Sequence, residues 1–563
     1  VMVGVNGENY KSDKFSAMRT QLYDENYPEL NLAYGDMTKA EIGSETGDRA
    51  SAGYFGRINY DYKGIYLLEL NGRYDGSSRF PEGNRWAFFP SVSAGYRFSE
   101  EPYWKDFLKY VSNGKLRLSY GEVGNEAVGD WMFVSTITPI ATDKLYWLNG
   151  SGTKLNQFDM PDWVSPTLTW ERIHSFDIGL DLGFLNDELT FTADWYQRTT
   201  KDMLAPGKAL PPSVGANAPY SNAGELRSRG WEISINWHKQ INKDLGLYAN
   251  FSIGDSKVKV TKWNNTSKVI GHTGGIVTDA NAKTYAYAGE NWGDIWGFET
   301  ERYFTENDFD GKNADGSWKY KKGVADQTGI QTDNFVYGPG DIKFKDLNGD
   351  GVINGGKGTA DDHGDLKVIG NTLPRYEYSY HVGGTYKGFD LDLFFQGVGK
   401  RDMWTRSSFA FPEMRSADLA IYSHQTSYNV YDPANNIVNI SESNAFPCLY
   451  PGNEGAGNVS GLAPIGGCHN YYPQTKYLVD MSYLRLKNIT LGYTMPTWLT
   501  KKVYIQKLRI YGSVDNLCLL HKGSGDLPVD PEVNTGQGSL SYGTWGRTYP
   551  ITRSWSVGLQ VTF

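Results

Sequence analysis

Long hydrophobic runs are missing from this chain. Only 39% of its 563 residues are hydrophobic, and no stretch approaches the roughly 18 apolar residues that a membrane helix needs. A helical membrane protein is therefore excluded. Cysteine is scarce: Cys448, Cys468 and Cys518 are too few for a disulfide scaffold. The first two share a Gly-rich stretch and could bridge in an oxidising compartment, whereas Cys518 follows a strand and reads as a free thiol. Positive charge is also short. The net charge is −9, with no basic tract or aromatic-plus-basic strip to offset it, which argues against a nucleic-acid partner. Catalytic signatures are absent: no Gly-x-Ser-x-Gly, no His-Glu-x-x-His, no phosphate loop, and eight His scattered without metal-ligand spacing. Asp361 near His363 reads as a solvated pair rather than an acid–base couple. No signal peptide opens the chain. Val1-Met2-Val3-Gly4-Val5 already reads as a strand, which predicts a true N-terminus further upstream and makes this a C-terminal portion.

What the chain does have is aromatic rings and glycine. Aromatic content is 14%, with 39 Tyr and 17 Trp, and Gly reaches 65, a composition for strands, tight turns and interfacial girdles. The clearest stretch is the hairpin 376–395. Tyr376, Tyr378, Tyr380, Val382 and Tyr386 alternate with Glu377, Ser379, His381, Gly383 and Thr385. After Lys387-Gly388 the alternation resumes as Phe389, Leu391, Leu393 and Phe395 against Asp390, Asp392 and Gln396. A two-residue turn sets Tyr386 opposite Phe389, so one face is aromatic and the other ionic. Carboxylates have no place in a dry core. A sheet apolar on one side and wet on the other, over about ten residues per strand, is what the wall of a transmembrane β-barrel requires.

The same period recurs along the chain. Strands are predicted at 1–8, 51–62, 66–74, 86–98, 115–120, 176–184, 189–195, 231–237, 245–253, 376–386, 389–395, 483–493, 507–516 and 555–563. In 483–493 the phase slips between Leu486 and Ile489, which predicts a β-bulge. Ser99-Glu100-Glu101-Pro102 predicts a short helix to Tyr110. Fold class is thus all-β, a transmembrane antiparallel barrel with about 14 strands in this chain. The joins alternate short and long throughout, the rhythm of short periplasmic turns and long external loops. The external loops are placed at 9–50, 76–85, 123–172, 201–228, 259–374, 400–481 and 517–552, all within one domain over 1–563. A soluble sandwich or propeller would alternate alike strand by strand, but would bury its inward Asp and Glu at a cost of several kcal/mol each.

Ten segments in order then carry a family resemblance. They are Asp75-Gly76-Ser77-Ser78-Arg79-Phe80, Phe89-Pro90-Ser91-Val92-Ser93-Ala94-Gly95, Ser119-Tyr120-Gly121 with Gly124-Asn125, Leu168-Thr169-Trp170-Glu171, Gly179-Leu180-Asp181-Leu182-Gly183-Phe184-Leu185, Gly340-Asp341-Ile342-Lys343-Phe344 with Asp346-Leu347-Asn348-Gly349-Asp350-Gly351, Ile369-Gly370-Asn371, Tyr483-Leu484-Arg485-Leu486-Lys487-Asn488, Asp515-Asn516-Leu517 and Val561-Thr562-Phe563. The chain resembles the C-terminal part of a SusC/RagA-type TonB-dependent transporter. The resemblance implies a barrel of about 22 strands, of which these would be the last fourteen. It also implies an upstream barrel and plug portion, in the same or a separate chain, TonB acting through that portion, and a SusD-like surface lipoprotein over the external mouth. The location implied is the outer membrane of a Gram-negative bacterium, with the lipid bilayer around the barrel.

Two sets of candidate site residues follow. Asp346, Asn348 and Asp350, with Gly351 in sixth place and the Val352 carbonyl in seventh, match the first half of an oxygen-rich calcium loop. Position twelve is Lys357, and an insertion separates Asp361 and Asp362 from the rest, although either could fold back. A bound Ca2+ and a tight turn braced by side-chain to backbone hydrogen bonds both stay open. The long loops also carry Trp131, Trp147, Trp163, Trp263, Trp292, Trp296, Trp318, Trp404 and Trp545. Of these, Trp131, Trp292, Trp296 and Trp404 are the candidates to stack on a ligand, with loop packing as the alternative. The expected function is import of an oligomeric nutrient, oligosaccharide ahead of peptide, with no catalysis. A passive porin or surface-binding barrel and a barrel hydrolase are the other classes considered.

Overall fold

The computed structural model describes residues 1–36, 39–137, 163–205, 218–270, 285–314, 316–331, 335–404, 410–412, 421–449, 469–532 and 551–563, with single positions 140, 158, 161, 207, 213 and 549. One sheet of 14 strands takes its members in chain order. They are β1 Met2–Met18, β2 Glu41–Tyr62, β3 Tyr66–Ser77, β4 Trp86–Tyr96, β5 Val111–Asn125, β6 Glu171–Phe184 and β7 Leu189–Ala205, followed by β8 Ser221–Gln240, β9 Leu245–Lys262, β10 Arg375–Tyr386, β11 Phe389–Lys400, β12 Tyr483–Thr494, β13 Lys507–Lys522 and β14 Ser554–Thr562. No described helix is long and apolar enough to cross a membrane.

The period-two reading locates every strand of the 14-stranded sheet, though none of the short strands within the long joins, and the hairpin registers follow from turn chemistry. Lys387 and Gly388 both take positive φ, at 47° and 90°, so the turn twists with the strands and pairs Tyr386 with Phe389. Tyr386 and Phe389 are each 52% exposed, and the ring of Phe389 lies 4.6 Å from that of Tyr493 on the next strand. The bulge falls where the phase slips. Phe394 pairs with Asn488 and Phe395 with Leu486, leaving Lys487 as the extra residue.

Three expectations need correction. The strands run well past their alternating cores: the segment read as loop from residue 9 to 50 is strand to Met18 and again from Glu41, with Glu8–Met18 paired to Glu41–Ser51. Backbone pairing continues there although both faces are polar, so side-chain period gives no sign of it. The joins do not alternate strictly either, since 78–85 is shorter than the 97–110 join that follows it. Finally, the helix expected to Tyr110 is two 3-10 turns, Phe98–Glu100 and Pro102–Trp104. Between them Glu101 is extended at φ −75°, ψ 146°, as the residue before a proline is pushed to be.

The chain divides into two compact units, Val1–Gly95 with Leu118–Phe176 and Arg198–Glu225, and Tyr96–Arg117 with Asp177–Gln197 and Leu226–Phe563. In the first, Phe80, Phe89, Leu168 and Trp170 form a buried core. Trp170 lies 5.1 Å from Phe80 and 5.5 Å from Phe89, and its Nε1 donates to Arg85 O at 2.8 Å. Arg79 is held to Asp130 at 2.7 Å. Three of the ten family-like segments thus meet in one aromatic knot.

In the second unit the joins 263–374 and 401–482 share two cores. One holds Phe298, Phe304, Tyr337, Ile342, Phe344 and Leu366; the other holds Ile295, Met403, Trp404, Phe411, Tyr471 and Met481. Short strand pairs frame them: Asp294–Phe298 with Leu366–Asn371, Thr300–Tyr303 with Ile342–Phe344, Phe309–Lys312 with Trp318–Tyr320, and Asp402–Met403 with Val479–Asp480.

Candidate functional site

The face opposite the aromatic one is a lattice of ion pairs and hydroxyl groups. In the second unit, Arg117 bridges Asp181 and Asp194, each at 2.8 Å. Lys239 reaches Glu188 at 2.9 Å, and Arg509 Nε donates to Asp390 at 2.9 Å. His381 meets Asp392 at 2.6 Å, whose other oxygen accepts from Tyr248. Arg375 pairs with Asp255. Arg117, Asp181, Asp194, Tyr248, His381, Asp390, Asp392 and Arg509 occupy the polar phase of their strands, while Glu188 lies in the turn before β7. A recess of about 590 Å3 opens on this face over β7 to β11, lined by Asp194, Glu232, Ser252, Glu377, Ser379 and Gln396 among others. Gly254 also lines it; it pairs with Glu377, and a Cβ there would stand 3.2 Å from the Glu232 side chain. Donors and acceptors of this kind solvate hydroxyl and amide groups.

The acidic loop is a braced turn in this structure. Both Asp346 oxygens accept backbone N–H groups, from Gly349 at 2.6 Å and Gly351 at 2.8 Å. Asn348 Oδ1 accepts from Asp350 N at 2.9 Å, and Asp350 Oδ1 accepts from the Val352 N–H at 2.8 Å. Asp361 and Asp362 do not fold back onto these groups as ligands. Lys268 holds Asp361 at 2.7 Å, and Lys357 holds Asp362 at 3.3 Å. Among the described residues no three of His, Cys, Asp and Glu are gathered for a metal. The organising carboxylate is Asp365, which sequence reading did not single out; it accepts from Leu347 N at 2.8 Å and Asn354 N at 2.9 Å and so ties both ends of the loop.

The four tryptophans separate. Trp296 is 7% exposed and Trp404 3%, each inside a loop core. Their expected role as stacking platforms is therefore corrected to packing, since Trp404 enclosed with Phe411 and Trp296 enclosed in the Phe298 core have no face to offer. Trp292 is half-buried, edge-on to Trp263 at 5.9 Å, and its carbonyl accepts from Asn371 at 3.1 Å. Trp131 alone of the four is open, 51% exposed. Trp147 and Trp545 lie outside the described residues, as does Cys468, so the proposed bridge to the buried Cys448 is not described.

Burial also changes how the Gly340–Phe344 segment reads. Asp341 is fully buried, accepting from Gly338 N at 2.8 Å and Asn470 Nδ2 at 2.7 Å, while Asn470 Oδ1 takes the Ile342 N–H at 2.7 Å. Asp308 is buried and held by both terminal Arg302 nitrogens, by Thr305 N at 2.8 Å and by the Thr305 hydroxyl at 3.1 Å. Burial pushes its carboxyl up, but the Arg302 guanidinium and the Thr305 N–H outweigh that and hold it at about 2. A basic feature was also missed. Trp318-Lys319-Tyr320-Lys321-Lys322 is a short aromatic-plus-basic run, and folding adds Lys343 and Lys345 to the recess it borders.

Known proteins share this design. A family model described as TonB dependent receptor-like, beta-barrel matches residues 2–328. The TonB-dependent receptor P3 of Formosa agariphila is 27% identical over 516 residues, 90% of this chain and 45% of that protein. The TonB-dependent receptor SusC of Bacteroides thetaiotaomicron is 28% identical over 519 residues, 91% of this chain and 43% of that protein. Among solved structures, the RagAB peptide transporter is similar over 100% of this chain and 53% of that one, with a TM-score of 0.67 at 21% identity. The chain thus spans about half the length of the curated relatives it matches.

Proposed function

Because the chain belongs to the TonB dependent receptor-like β-barrel family, we infer that it is barrel wall and external loops of an outer-membrane importer of the SusC/RagA type. Oligosaccharide is the proposed ligand. The observation that carries the reading is the two-sided sheet: rings such as Tyr386 and Phe389 stand exposed on one face, while the other bears the Arg117–Asp181–Asp194 cluster and its neighbours. Lipid on the first side and an aqueous lumen on the second satisfies both. The hydroxyl-, amide- and carboxylate-lined recess over β7 to β11 suits sugar hydroxyls. β1 and β14 each have a single neighbour in the sheet, and an unpaired edge in lipid costs several kcal/mol per unsatisfied group, which supports an upstream barrel and plug portion completing the wall. TonB would act through that portion, and a SusD-like lipoprotein would cover the loops. No step of this reading needs catalysis.

Co-purification in mild detergent tests it: an upstream portion and a surface lipoprotein are expected to accompany the chain, and recovery of neither counts against import. Peptide is the second reading, favoured by the fold shared with the RagAB peptide transporter. Parallel uptake of labelled oligosaccharides and oligopeptides by cells with and without the gene decides between them.

A further inference from the structure

The loops of the second unit contain a recess of about 780 Å3 that no expectation from the sequence had assigned. Two short sheets and a turn build it. The Phe309–Lys312/Trp318–Tyr320 hairpin runs into Lys321 and Lys322, the Thr300–Tyr303/Ile342–Phe344 pair brings Lys343 and Lys345, and the Asp346–Gly351 turn closes the side. Five lysines therefore line one cavity, against the carboxylates of Glu301, Asp326 and Asp346.

Of these carboxylates Glu301 is matched by a lysine, while Asp326 and Asp346 are oriented by backbone N–H groups and keep their charge. Glu301 takes Lys343 at 3.0 Å, Asp326 accepts the Thr328 N–H at 2.8 Å, and Asp346 accepts two N–H groups of its own turn. Lys345 is likewise matched, by Glu299 at 3.2 Å, and the Lys367 and Lys345 ammonium groups hold the Glu299 carboxyl below its usual range. Lys319, Lys321 and Lys322 are different: among the described residues none of the three has a carboxylate within the 4.0 Å at which the pairs above are formed. In a chain of net charge −9, five lysines against three carboxylates leave this concave lining positive, and the three lysines without an acidic partner among the described residues form a local field that an anion would relieve.

The remaining lining indicates what carries the anion. Asn313, Thr328 and the rings of Trp318 and Tyr320 supply amide, hydroxyl and aromatic surface, while Val324 and Ala325 are the aliphatic side chains among the described lining residues. Hydroxyl-bearing rings with attached charges fit that lining, whereas the side chains of an apolar peptide would find little to bury against. We propose that this lysine-lined recess binds the carboxylate or sulfate groups of an acidic oligosaccharide. The proposal rests on the import reading above and narrows its ligand class.

The test uses the full-length protein in detergent and isothermal titration with four probes of equal length: an oligogalacturonate, a sulfated oligosaccharide, a neutral maltooligosaccharide and oligoglutamate. Wild type is expected to prefer one of the two acidic saccharides, with affinity falling as salt rises. The Lys319→Gln/Lys321→Gln/Lys322→Gln variant is expected to lose at least tenfold in that affinity, to lose most of its salt dependence, and to bind the neutral saccharide as wild type does. All three side chains border solvent and leave the loop cores intact, and unchanged hydrogen-exchange protection at Phe304 confirms a folded variant. Equal binding of the acidic saccharide by variant and wild type overturns the proposal, and so does tighter binding of oligoglutamate. Binding of the neutral saccharide alone also overturns it, while leaving saccharide import standing. Binding of no saccharide at all removes both readings.

Discussion

Replacing Asp308 with Asn isolates the ion pair that pins the corner of the larger loop core. The substitution keeps the shape and the Thr305 contacts but removes the charge facing Arg302, with Lys343 4.0 Å away and Glu301 beyond it. The carboxyl sits at about 2 in the folded loop, against roughly 3.9 in an unfolded chain, and each unit is worth about 1.4 kcal/mol. That difference gives about 2.5 kcal/mol. Because Arg302 keeps about a third of its side chain in water, screening lowers the figure to about 2 kcal/mol, a roughly 30-fold change in local opening.

The sign is fixed by direction. A carboxyl held lower when folded stabilises fully above pH about 4, progressively less as the pH falls toward 2, and not at all below that. Native-state hydrogen exchange at Phe304 and Gly340 reads it out, since their amides bond to Asp341 O and Phe304 O at 2.8 Å each. Wild type is expected to lose the 30-fold protection between pH 4 and 2, after correction for intrinsic exchange. Asp308→Asn should lack it already at pH 7 and show no step. Equal protection in both proteins at pH 7, or a wild-type profile flat through pH 2, refutes the reasoning.

Three further outcomes are expected. Gly388→Ala places a Cβ 2.7 Å from Thr494 O at a φ of +90°, so the barrel hairpin should lose about 2 kcal/mol, seen as an earlier urea midpoint in detergent; an unchanged midpoint would mean the turn relaxes freely. Trp404→Ala, which empties a core, should cost about 3–5 kcal/mol of local stability by hydrogen exchange, whereas Trp131→Ala should change stability by less than about 0.5 kcal/mol and weaken oligosaccharide binding, with the opposite pattern reversing their assignment. Calcium titration followed by mass spectrometry decides between the two readings of Asp346–Asp350: a turn braced by N–H groups alone predicts no tight uptake, whereas uptake with release of Lys268 from Asp361 supports the cation site.

How much of this could be read from the residues depends on whether the relevant neighbours are near or far in the chain. Strand positions and the Lys387-Gly388 turn are legible because lipid-facing side chains repeat every second residue and φ preference is local. The Lys487 bulge is legible for the same reason, as a one-residue error in that count. Strand length fails where β1 and β2 run on together, Tyr10 opposite Arg49 and Lys14 opposite Glu45, because two polar faces carry no period.

The loops fail differently. Whether Trp404 stacks on a ligand or on the protein is decided by Phe411 and Tyr471 further along its own join and by Ile295 from the other, residues that no spacing rule connects. Asp341 finds Asn470 more than a hundred positions away, and the basic recess draws Lys319–Lys322 and Lys343 from different strand pairs. In the family-like segments Gly340–Phe344 and Leu168–Glu171, the buried groups are those that close loop cores, with Ile342 and Phe344 in one and Leu168 and Trp170 in the other. Such segments are recognisable because a buried hydrogen-bonded carboxylate or a locked indole tolerates few substitutes. The surfaces that would meet a ligand are under no such packing constraint, so resemblance identifies the scaffold more firmly than what it carries.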